Sequence, residues 1–511
     1  MTPSPEAIRE LLGQLSTAIA DTPPRVGIVL AAGHGKRIRS VTSKMLHEIW
    51  GRPTVLRVAA AVERGLDSPH QVIVVGVMAA DVAAAVGRRN GRVFAYQESL
   101  VTGRPAGTGD AVRVALEAFA PTRGERDVYV FLGDMGLLTP EVVQSFRTAF
   151  EQAGGDMMVL TGRFSGPPAA NTYGRIVRVP ALDAVGQPAG TDAGKVIEIR
   201  EHRDVLSLAA DTPHLARYNG RAYSYSRAEL LAIDEINTGV FAIKESLLRR
   251  YITELNTDNV QGELLLTDLV GIFNRHGRTV LATPAANDEQ ILAFNVKSVW
   301  HQMQSIARRW AYDRLKDVIT IADEDDFFLA DEVIEHVLEL DRQRGPLDIV
   351  IGKGAHLGPG VKLNRGVSIA ARCQLSGNIL FGENVTLGVG VQCSTFQSQT
   401  MVLEDGVEIL SRNILKGNLR LGAGTRVESG VLMTGSDAFP MRVGRNVVIR
   451  GTTYLYGCQI DDGLLIEHSV IKCKHIEQVQ RRDGSIQPVR YVLPQPEGLD
   501  SLRDLGRNGA R

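Results

Sequence analysis

A short loop directly after the first apolar run of the chain has the composition of a phosphate-binding loop. Glycines just past a parallel strand let backbone N–H groups approach phosphate oxygens closely. The cations Arg37 and Lys44 follow, and they suit a polyphosphate. The spacing fits neither a Walker P-loop nor a dinucleotide fingerprint, and such a loop alone is also compatible with a plain turn. The loop residues are Leu30, Ala31, Ala32, Gly33, His34 and Gly35.

A carboxylate at the end of another apolar run has the position of a metal ligand. Asp134 follows the predicted strand Val128–Leu132, and open α/β sheets bind their ligands at the carboxyl ends of strands. Mg²⁺ prefers oxygen ligands and usually shares them with phosphates, so Asp134 is suited to hold it. The alternative is an aspartate that caps the next turn.

Alternating strand and helix patterns between Arg25 and about residue 295 predict the elements that position these side chains. The strands are almost continuously apolar, which is typical of parallel strands covered by helices on both faces. Thr139 and Pro140 form a helix start. We expect an N-terminal helical extension over 1–24, with its helix at 5–20, and a doubly wound, Rossmann-like α/β domain over 25–295. The predicted strands are Val26–Leu30, Val72–Val75, Val128–Leu132, Met157–Leu160 and Val240–Ile243.

The apolar period changes to six residues in the C-terminal part of the chain, after a charged segment that we interpret as a helical connector over 296–345. A six-residue period is typical of a hexapeptide β-helix, in which each short strand points one apolar residue inward. We therefore expect a left-handed parallel β-helix over 346–475 and an irregular tail over 476–511, with a β-sandwich as the alternative. The apolar positions are 351, 357, 363, 369, 375, 381 and 387, then 403, 409, 415, 421 and 427, then 443, 449 and 455.

The composition is that of an ordinary globular protein and excludes several partners. Its 511 residues include 57 basic and 58 acidic side chains, so no overall charge attracts nucleic acid or an anionic membrane. The four cysteines form no CxxC pair, which argues against a zinc or redox motif. The start of the chain lacks a secretory apolar core, and no stretch approaches the roughly 20 apolar residues that span a bilayer. We expect a soluble, cytoplasmic protein.

The order of the motifs resembles the bacterial N-acetylglucosamine-1-phosphate uridyltransferases. These occur as the N-terminal half of a bifunctional enzyme that also acetylates glucosamine 1-phosphate and carries a C-terminal hexapeptide helix. The resemblance runs across residues 26–268. It rests on LAAGxGxRxxxxxxK from Leu30 to Lys44, Gly133-Asp134, Gln97, Gly107–Val112, Tyr173–Val177, Glu201–Asp204, Glu235–Gly239, Asn259–Glu263 and Thr267-Asp268.

The resemblance implies Mg²⁺ as cofactor and UTP and a sugar 1-phosphate, first of all N-acetylglucosamine 1-phosphate, as substrates. A phosphate oxygen of the sugar attacks the α-phosphorus of UTP in line, and pyrophosphate leaves. Such a transfer needs positioning and charge neutralisation more than a covalent nucleophile. The implied roles are Gly33 to Arg37 and Lys44 for the phosphates, Gln97, Gly107 and Thr108 for the uracil edge, Tyr173, Gly174, Glu201 and Asn237 for the sugar phosphate, and Asp134 and Asn259 for Mg²⁺.

The chain departs from the family pattern near the expected site. His34 stands where the family often has Lys, which predicts a weaker or pH-dependent phosphate contact. Ser43 and Gly136 replace prolines, which predicts looser loops around Lys44 and Asp134. An insertion over 98–106 lies at the expected base pocket. A second insertion, over 205–233 with Tyr218, Tyr223 and Tyr225, is either a lid over the sugar or a surface loop.

The histidines of the C-terminal part lack the family's acetyltransferase motif. We interpret His356, His468 and His475 as surface residues, so the β-helix is expected to serve oligomerisation, with a trimer favoured, or regulation. Three alternatives stay open for the function. They are the same reaction with another sugar phosphate or nucleotide, a bifunctional enzyme that also acetylates glucosamine 1-phosphate, and a non-catalytic regulatory protein that senses sugar nucleotides.

Overall fold

The computed structural model describes residues 4–20, 24–33, 35–122 and 124–491. The chain divides into two compact units between residues 304 and 305. His34 of the predicted loop lies outside the described residues, and so does the part of the predicted tail beyond residue 491.

The first unit alternates helices and strands. Short 3₁₀ turns connect several of them, at Lys36–Ile38, Lys44–Leu46, Pro168–Ala170, Gly190–Asp192, Ile252–Glu254 and Asp288–Ile291. The helices are α1 (Pro5–Leu15), α2 (Thr54–Leu66), α3 (Ala79–Val86), α4 (Ser99–Thr102), α5 (Thr108–Glu117), α6 (Pro140–Ala153), α7 (His202–Ser207), α8 (Arg227–Ala232), α9 (Glu245–Tyr251) and α10 (Asp268–Arg275). The strands are β1 (Arg25–Ala31), β2 (Glu48–Ile49), β3 (Arg52–Pro53), β4 (Gln71–Val75), β5 (Arg92–Tyr96), β6 (Asp127–Leu132), β7 (Met157–Arg163), β8 (Arg175–Arg178), β9 (Val196–Arg200), β10 (His214–Tyr218), β11 (Arg221–Tyr225), β12 (Glu235–Lys244) and β13 (Val280–Pro284).

A twisted sheet in the order β13–β7–β12–β6–β1–β4–β5 forms the centre of this unit. β1 pairs in parallel with β4 and β6, so the residues that follow these strands meet at one edge. The prediction for Val240–Ile243 is wrong in direction, because β12 runs antiparallel to both β6 and β7. A strand buried on both faces has the same apolar pattern in either direction, so the sequence could not distinguish them.

Helices cover both faces of the sheet, as the doubly wound fold requires. Alternate residues of β1 point to opposite sides: Val29 packs in one apolar core with α2 and α6, and Ile28 packs in the other with α5 and α10. The helix predicted over 5–20 ends at Leu15, because the backbone becomes extended at Ser16 (ψ 152°), whose hydroxyl donates to the carbonyl of Leu12. The α/β class of the first unit is confirmed.

The insertion over 205–233 is an ordered substructure with its own small core. It contains the β10–β11 hairpin and α8, which pack on β8 and β9. Tyr223 and Tyr225 are buried in this core, at 0% and 8% exposure. Two of the three tyrosines of the insertion therefore stabilise the substructure instead of facing a ligand.

The second unit contains a parallel β-helix. Its strands form three parallel sheets in the described part of the chain. The first sheet consists of β14 (Thr320–Ile321), β16 (Val350–Ile351), β19 (Ser368–Ile369), β22 (Thr386–Leu387), β25 (Glu408–Ile409), β28 (Arg426–Val427), β31 (Val448–Ile449) and β34 (Leu465–Ile466). The second consists of β15 (Phe327–Leu329), β17 (Ala355–Leu357), β20 (Gln374–Ser376), β23 (Gln392–Ser394), β26 (Ile414–Gly417), β29 (Val431–Gly435), β32 (Thr453–Tyr456) and β35 (Val470–Lys472). The third consists of β18 (Val361–Lys362), β21 (Ile379–Phe381), β24 (Met401–Leu403), β27 (Leu419–Leu421), β30 (Met441–Val443), β33 (Gln459–Ile460) and β36 (His475–Ile476).

The six-residue apolar pattern faces the interior of the coil. Every residue of the pattern is buried, from Ile351 and Leu357 in the first block to Ile449 and Leu455 in the last. Cys373, Cys393, Cys458 and Cys473 are all free thiols. The predicted left-handed parallel β-helix is confirmed.

The segment predicted as a helical connector, 296–345, contains the start of the β-helix. It holds α11 (Lys297–Leu315) and α12 (Asp331–Arg344), but β14 and β15 lie between them and pair with β16 and β17. The first strands of the coil therefore precede residue 346. Within the described ranges, every helix is too short or too polar to cross a membrane.

Candidate functional site

The loop after β1 turns back onto Lys44. Gly35 has a φ of +67°, and a Cβ added to it would lie 2.8 Å from the Cβ of Lys44. Only glycine fits there, because the left-handed backbone and the close approach both exclude a side chain. Ala31 and Ala32 are buried, whereas Gly33 and the side chain of Arg37 are exposed. The loop thus presents backbone and the guanidinium group of Arg37 to solvent.

Ser43 fixes the turn that carries Lys44, contrary to the expectation of a looser loop. Ser43 is buried, and its hydroxyl accepts a hydrogen bond of 3.3 Å from the N–H of Met45. Thr54 donates to the carbonyl of Met45 at 3.1 Å. Ser43 is therefore the N-cap of the 3₁₀ turn Lys44–Leu46.

Gly136 is also tightly packed and not loose. A Cβ at this position would lie 2.7 Å from a methyl group of Thr54 and 2.8 Å from Ile49. Thr54 is the same residue that holds the turn after Lys44. The segments that follow β1 and β6 are therefore joined by direct packing.

The ammonium group of Lys44 lies between two oxygen atoms. It forms an ion pair with Asp134, and it donates to Oδ1 of Asn295 at 2.8 Å. The side chains of Lys44 and Asp134 are only 8% and 7% exposed. The ring of Phe294 lies 5.6 Å from the Lys44 nitrogen. A carboxylate and an amide oxygen thus converge on one cation in a largely buried position.

Asp134 lies at the edge of the sheet where the loop after β1 also lies. β6 is the parallel neighbour of β1, and the N–H of Gly133 donates to the carbonyl of Leu30 at 2.9 Å. The neighbouring phenol of Tyr173 is affected by this carboxylate. Burial, and then the negative charge of Asp134, raise the pKa of Tyr173, so its hydroxyl stays protonated at neutral pH.

The residues predicted to bind the sugar phosphate are brought together around Gly174. A Cβ on Gly174 would lie 3.2 Å from Oε1 of Glu201, and its carbonyl accepts a hydrogen bond of 2.9 Å from the N–H of Asn237. A bulge in β12 supports this arrangement, because Oδ1 of Asn237 accepts from Gly239 at 3.0 Å. Burial, and then the charges of Asp204 and Asp268, raise the pKa of Glu201.

The residues predicted to read the base also lie together, at the end of β5 and the start of α5. Nε2 of Gln97 donates to the carbonyl of Gly107 at 2.9 Å. The hydroxyl of Thr108 accepts from the N–H of Leu266 at 3.0 Å. Gly107 has a φ of +122°, and a Cβ there would lie 2.4 Å from the carbonyl oxygen of Leu264. The 264–266 segment therefore closes against Gly107 and Thr108.

The insertion over 98–106 borders this group. It contains α4, and its Leu100 packs close to Gly76, where an added Cβ would lie 2.8 Å from the Leu100 side chain. The same Cβ would lie 2.8 Å from the carbonyl oxygen of Ala32 in the glycine loop. Gly76 thus joins the loop after β1 to the segment that follows Gln97.

Asn259 shares no hydrogen bond with Asp134 within the described ranges, although both were predicted to hold the metal. Its Oδ1 accepts from Gln261 and Glu263, and its Nδ2 donates to the carbonyl of Glu263 at 2.7 Å. It lines a cavity of about 480 Å³ together with Asp268. The side chain of Asn259 is therefore occupied in shaping its own loop.

Asn295 and Asp110 are the site residues that sequence reasoning missed. Asn295 precedes α11, and its Oδ1 is the second oxygen atom beside the ammonium group of Lys44. Asp110 stands inside the Gly107–Val112 motif and contacts Gln97. Among the described residues, no three His, Cys, Asp or Glu side chains form a metal-binding group. The sequence carries no signal for Asn295, whereas the position of Asp110, in the first turn of α5, could have pointed to Gln97.

The histidines of the β-helix lie on its surface, as predicted. His356 stacks on Phe328 with ring centroids 4.3 Å apart. His468 contacts the hydroxyl of Thr452, and His475 pairs with Asp461 at 2.9 Å.

Comparisons with known proteins identify relatives of the chain. The sequence model of one protein family, the MobA-like NTP transferase domain, matches residues 27–202. The bifunctional protein GlmU of Sorangium cellulosum is 31% identical over 381 residues, which are 73% of this chain and 70% of that protein. GlmU of Streptomyces griseus is 31% identical over 414 residues, covering 73% of this chain and 76% of that protein. GlmU of Trichlorobacter lovleyi is 26% identical over 489 residues, covering 93% and 91%.

Proposed function

Because the chain belongs to the family of the bifunctional protein GlmU and is a sugar-1-phosphate nucleotidyltransferase, we propose that it makes UDP-N-acetylglucosamine from UTP and N-acetylglucosamine 1-phosphate. The observation that carries the proposal is the placement of Lys44. It lies beside Asp134 and is covered by the loop that carries Gly35. Asp134 in turn neighbours Tyr173, which leads into the Gly174 cluster.

We propose Asp134 and Asn295, in place of Asp134 and Asn259, as the protein ligands of Mg²⁺. Their oxygens already converge on one cationic nitrogen, and a carboxylate and an amide are hard oxygen donors of the kind that Mg²⁺ accepts. One carboxylate is enough, since this ion takes most of its other ligands from phosphates and water. When bound, Mg²⁺ supplies charge neutralisation for the phosphate oxygens at the reacting phosphorus.

The loop residues hold the triphosphate in this proposal. The backbone N–H groups around Gly33 and Gly35 face phosphate oxygens, and the exposed guanidinium of Arg37 neutralises charge on the departing pyrophosphate. Lys44 exchanges its contact with Asp134 for a phosphate oxygen. These cations act where negative charge is redistributed during in-line transfer.

The cluster around Gly174 orients the sugar phosphate. The carboxylate of Glu201 and the amide of Asn237 are separated by a glycine without a side chain, which leaves room for a sugar ring against the backbone. The hydroxyl of Tyr173, which stays protonated, donates a hydrogen bond. The attacking phosphate oxygen is already ionised at neutral pH, so no general base is needed and the protein contributes orientation.

The test is pyrophosphate release with Mg²⁺, measured for UTP, dTTP and GTP, each with N-acetylglucosamine 1-phosphate or glucose 1-phosphate. We expect the fastest release for UTP with the amino sugar phosphate. Asp134→Ala should lower turnover by at least about a hundredfold, because it removes a metal ligand and leaves Lys44 without its ion pair. If the wild-type protein releases no pyrophosphate with any pair of substrates, the proposal is contradicted and a sugar-nucleotide sensor is favoured.

We further propose that the protein works in the cytoplasm as a homo-oligomer, with a trimer favoured, assembled through the β-helix. Ile414, Leu432 and Tyr454 stand in register on the outer face of the second sheet and are half-buried. Their neighbours Leu415 and Met433 point inward and are fully buried. A column of apolar side chains on an outer face supports an interface between copies of the chain. Light scattering of the purified protein measures the mass.

A further inference from the structure

The carboxamide of Gln97 is held by two hydrogen-bond acceptors. Its Nε2 donates to the carbonyl oxygen of Gly107 at 2.9 Å and to Oδ2 of Asp110 at 3.0 Å. Gln97 is 3% exposed and Asp110 is 1% exposed, so water does not compete for these contacts. The orientation of the amide is therefore decided by the chemistry of these two neighbours.

Asp110 is an anion in this position. The hydroxyl of Ser99 donates to the same oxygen that Gln97 contacts, and Arg113 donates to the other oxygen at 2.6 Å. Burial alone would raise the pKa of Asp110, but the hydrogen bonds from Ser99, Arg113 and Gln97 together hold it below its ordinary value. An ionised carboxylate has no proton to donate and only accepts hydrogen bonds.

Neither neighbour of Gln97 can donate a hydrogen bond to it. If the amide were rotated by half a turn, its oxygen would face a carboxylate and a carbonyl without any proton between them. Such a contact leaves the carbonyl of Gly107 and the oxygen of Gln97 without a donor and places the latter against the carboxylate, which strongly disfavours the rotated state. Nε2 is thus committed to Gly107 and Asp110, and Oε1 is the atom that remains for a ligand.

We propose that Asp110 is a positioning residue that fixes Gln97 so that its oxygen faces the nucleotide base, and thereby selects a pyrimidine with an N–H at N3. Uracil and thymine carry this donor, whereas cytosine presents a lone pair at the same ring atom. A hydrogen-bond acceptor that cannot rotate pairs with the N3 proton of uracil or thymine and repels the lone pair of cytosine. The inference rests on the proposed function, which brings the base of UTP to Gln97.

The first experiment uses the wild-type protein and varies the ligand. Equilibrium binding is measured by calorimetry for UTP, for CTP and for N3-methyl-UTP, which lacks the proton at N3. We expect CTP and N3-methyl-UTP to bind about 30-fold more weakly than UTP, or weaker still. Equal binding of UTP and CTP would overturn the proposal. If UTP and CTP both fail to bind, the proposed function fails together with it.

The second experiment changes the carboxylate itself. In Asp110→Asn, Arg113 can only donate, so it holds the amide oxygen of the new side chain and turns the NH₂ group towards Gln97. Two donors then face each other, and the orientation of Gln97 is no longer fixed. We expect the preference for UTP over CTP to fall about tenfold or more. A merely structural role would weaken both nucleotides equally and leave this ratio unchanged.

Asp81→Asn is the matched control. Asp81 also lies in the first turn of a helix, α3, but it is exposed. We expect it to keep the wild-type ratio. A folded Asp110→Asn variant that keeps the preference for UTP would overturn the positioning role, while UTP binding by the wild-type protein would leave the proposed function standing. If Asp110→Asn does not fold, the comparison of UTP with N3-methyl-UTP on the wild-type protein still tests the orientation of Gln97, since equal binding would show that its oxygen does not face the base.

Discussion

The contacts of Lys44 join residues that are distant in the sequence. Asn295 lies 251 positions after Lys44, yet its amide oxygen is 2.8 Å from the ammonium group. Motif order predicted Lys44 and Asp134, because each follows a strand of the sheet at the same edge. Asn295 could not be predicted in this way, since it follows no strand and stands just before a helix. The ring of the preceding residue, Phe294, lies 5.6 Å from the same ammonium nitrogen.

The metal proposal predicts different effects for two asparagines. Asn295→Ala should lower the affinity for Mn²⁺, used as a spectroscopic substitute for Mg²⁺ in the presence of UTP, by about tenfold or more. The substitution removes the amide oxygen that, together with the carboxylate of Asp134, is proposed to bind the ion. Electron paramagnetic resonance of free Mn²⁺ measures the affinity. Asn259→Ala is the comparison, and we expect it to stay within about twofold; the reverse ranking would support Asn259 as the ligand.

The carboxyl group of Asp268 makes stability depend on pH. Burial, and then the charge of Asp204, raise the pKa of Asp268 to about 6. The unfolded chain releases this proton at lower pH than the folded protein, so stability is lost as the pH rises from about 4 to about 6. Asp268→Asn should therefore increase the free energy of unfolding at pH 7 by about 1–3 kcal/mol and have little effect at pH 4.

Urea denaturation at pH 4 and pH 7 measures this effect. Asp258→Asn is the control, because Asp258 lines the same cavity but is exposed. We expect it to change stability at neither pH. A gain for Asp268→Asn that is equal at both values of pH would contradict the assigned cause.

The sequence predicted the helices and strands whose apolar pattern is unambiguous. The six-residue period predicted inward positions of the β-helix such as Leu375 and Leu415, and all of them are buried. The direction of β12 and the early strands β14 and β15 could not be predicted. A strand of two or three residues has no detectable period, and it forms only because the next coil offers a partner.

The loop after β1 gives a prediction at the scale of one element. Gly35→Ala should lower kcat/KM about tenfold or more, because the left-handed backbone strains any side chain and the added methyl group reaches Lys44. The pyrophosphate assay measures it. Gly154→Ala is the comparison, because Gly154 has the same φ, +67°, and lies in the left-handed region, but has open space around the added Cβ. We expect it to cost about 1 kcal/mol of stability and to leave kcat/KM unchanged; equal losses of kcat/KM would contradict the role of the Lys44 contact.

The division of the chain gives a prediction for the whole molecule. The apolar cores that carry the candidate site consist of residues from Ile8 to Ile291, within the first unit. A fragment of residues 1–315, which ends with α11, should therefore fold and keep its pyrophosphate release within about threefold. It should also be a monomer by light scattering, because it lacks the β-helix. A folded but inactive fragment would show that the second unit is needed for turnover.

The shared position of Lys44 has a consequence for the order in which ligands arrive. A divalent ion and an ammonium group cannot both stand between Asp134 and Asn295. In the proposed reaction, a triphosphate that draws Lys44 away from Asp134 would leave both oxygens free for the ion. The two affinities are then linked, and thermodynamic reciprocity makes the ion strengthen nucleotide binding by the same factor. Under the proposed assignment, Lys44 therefore couples the binding of the nucleotide to that of the ion.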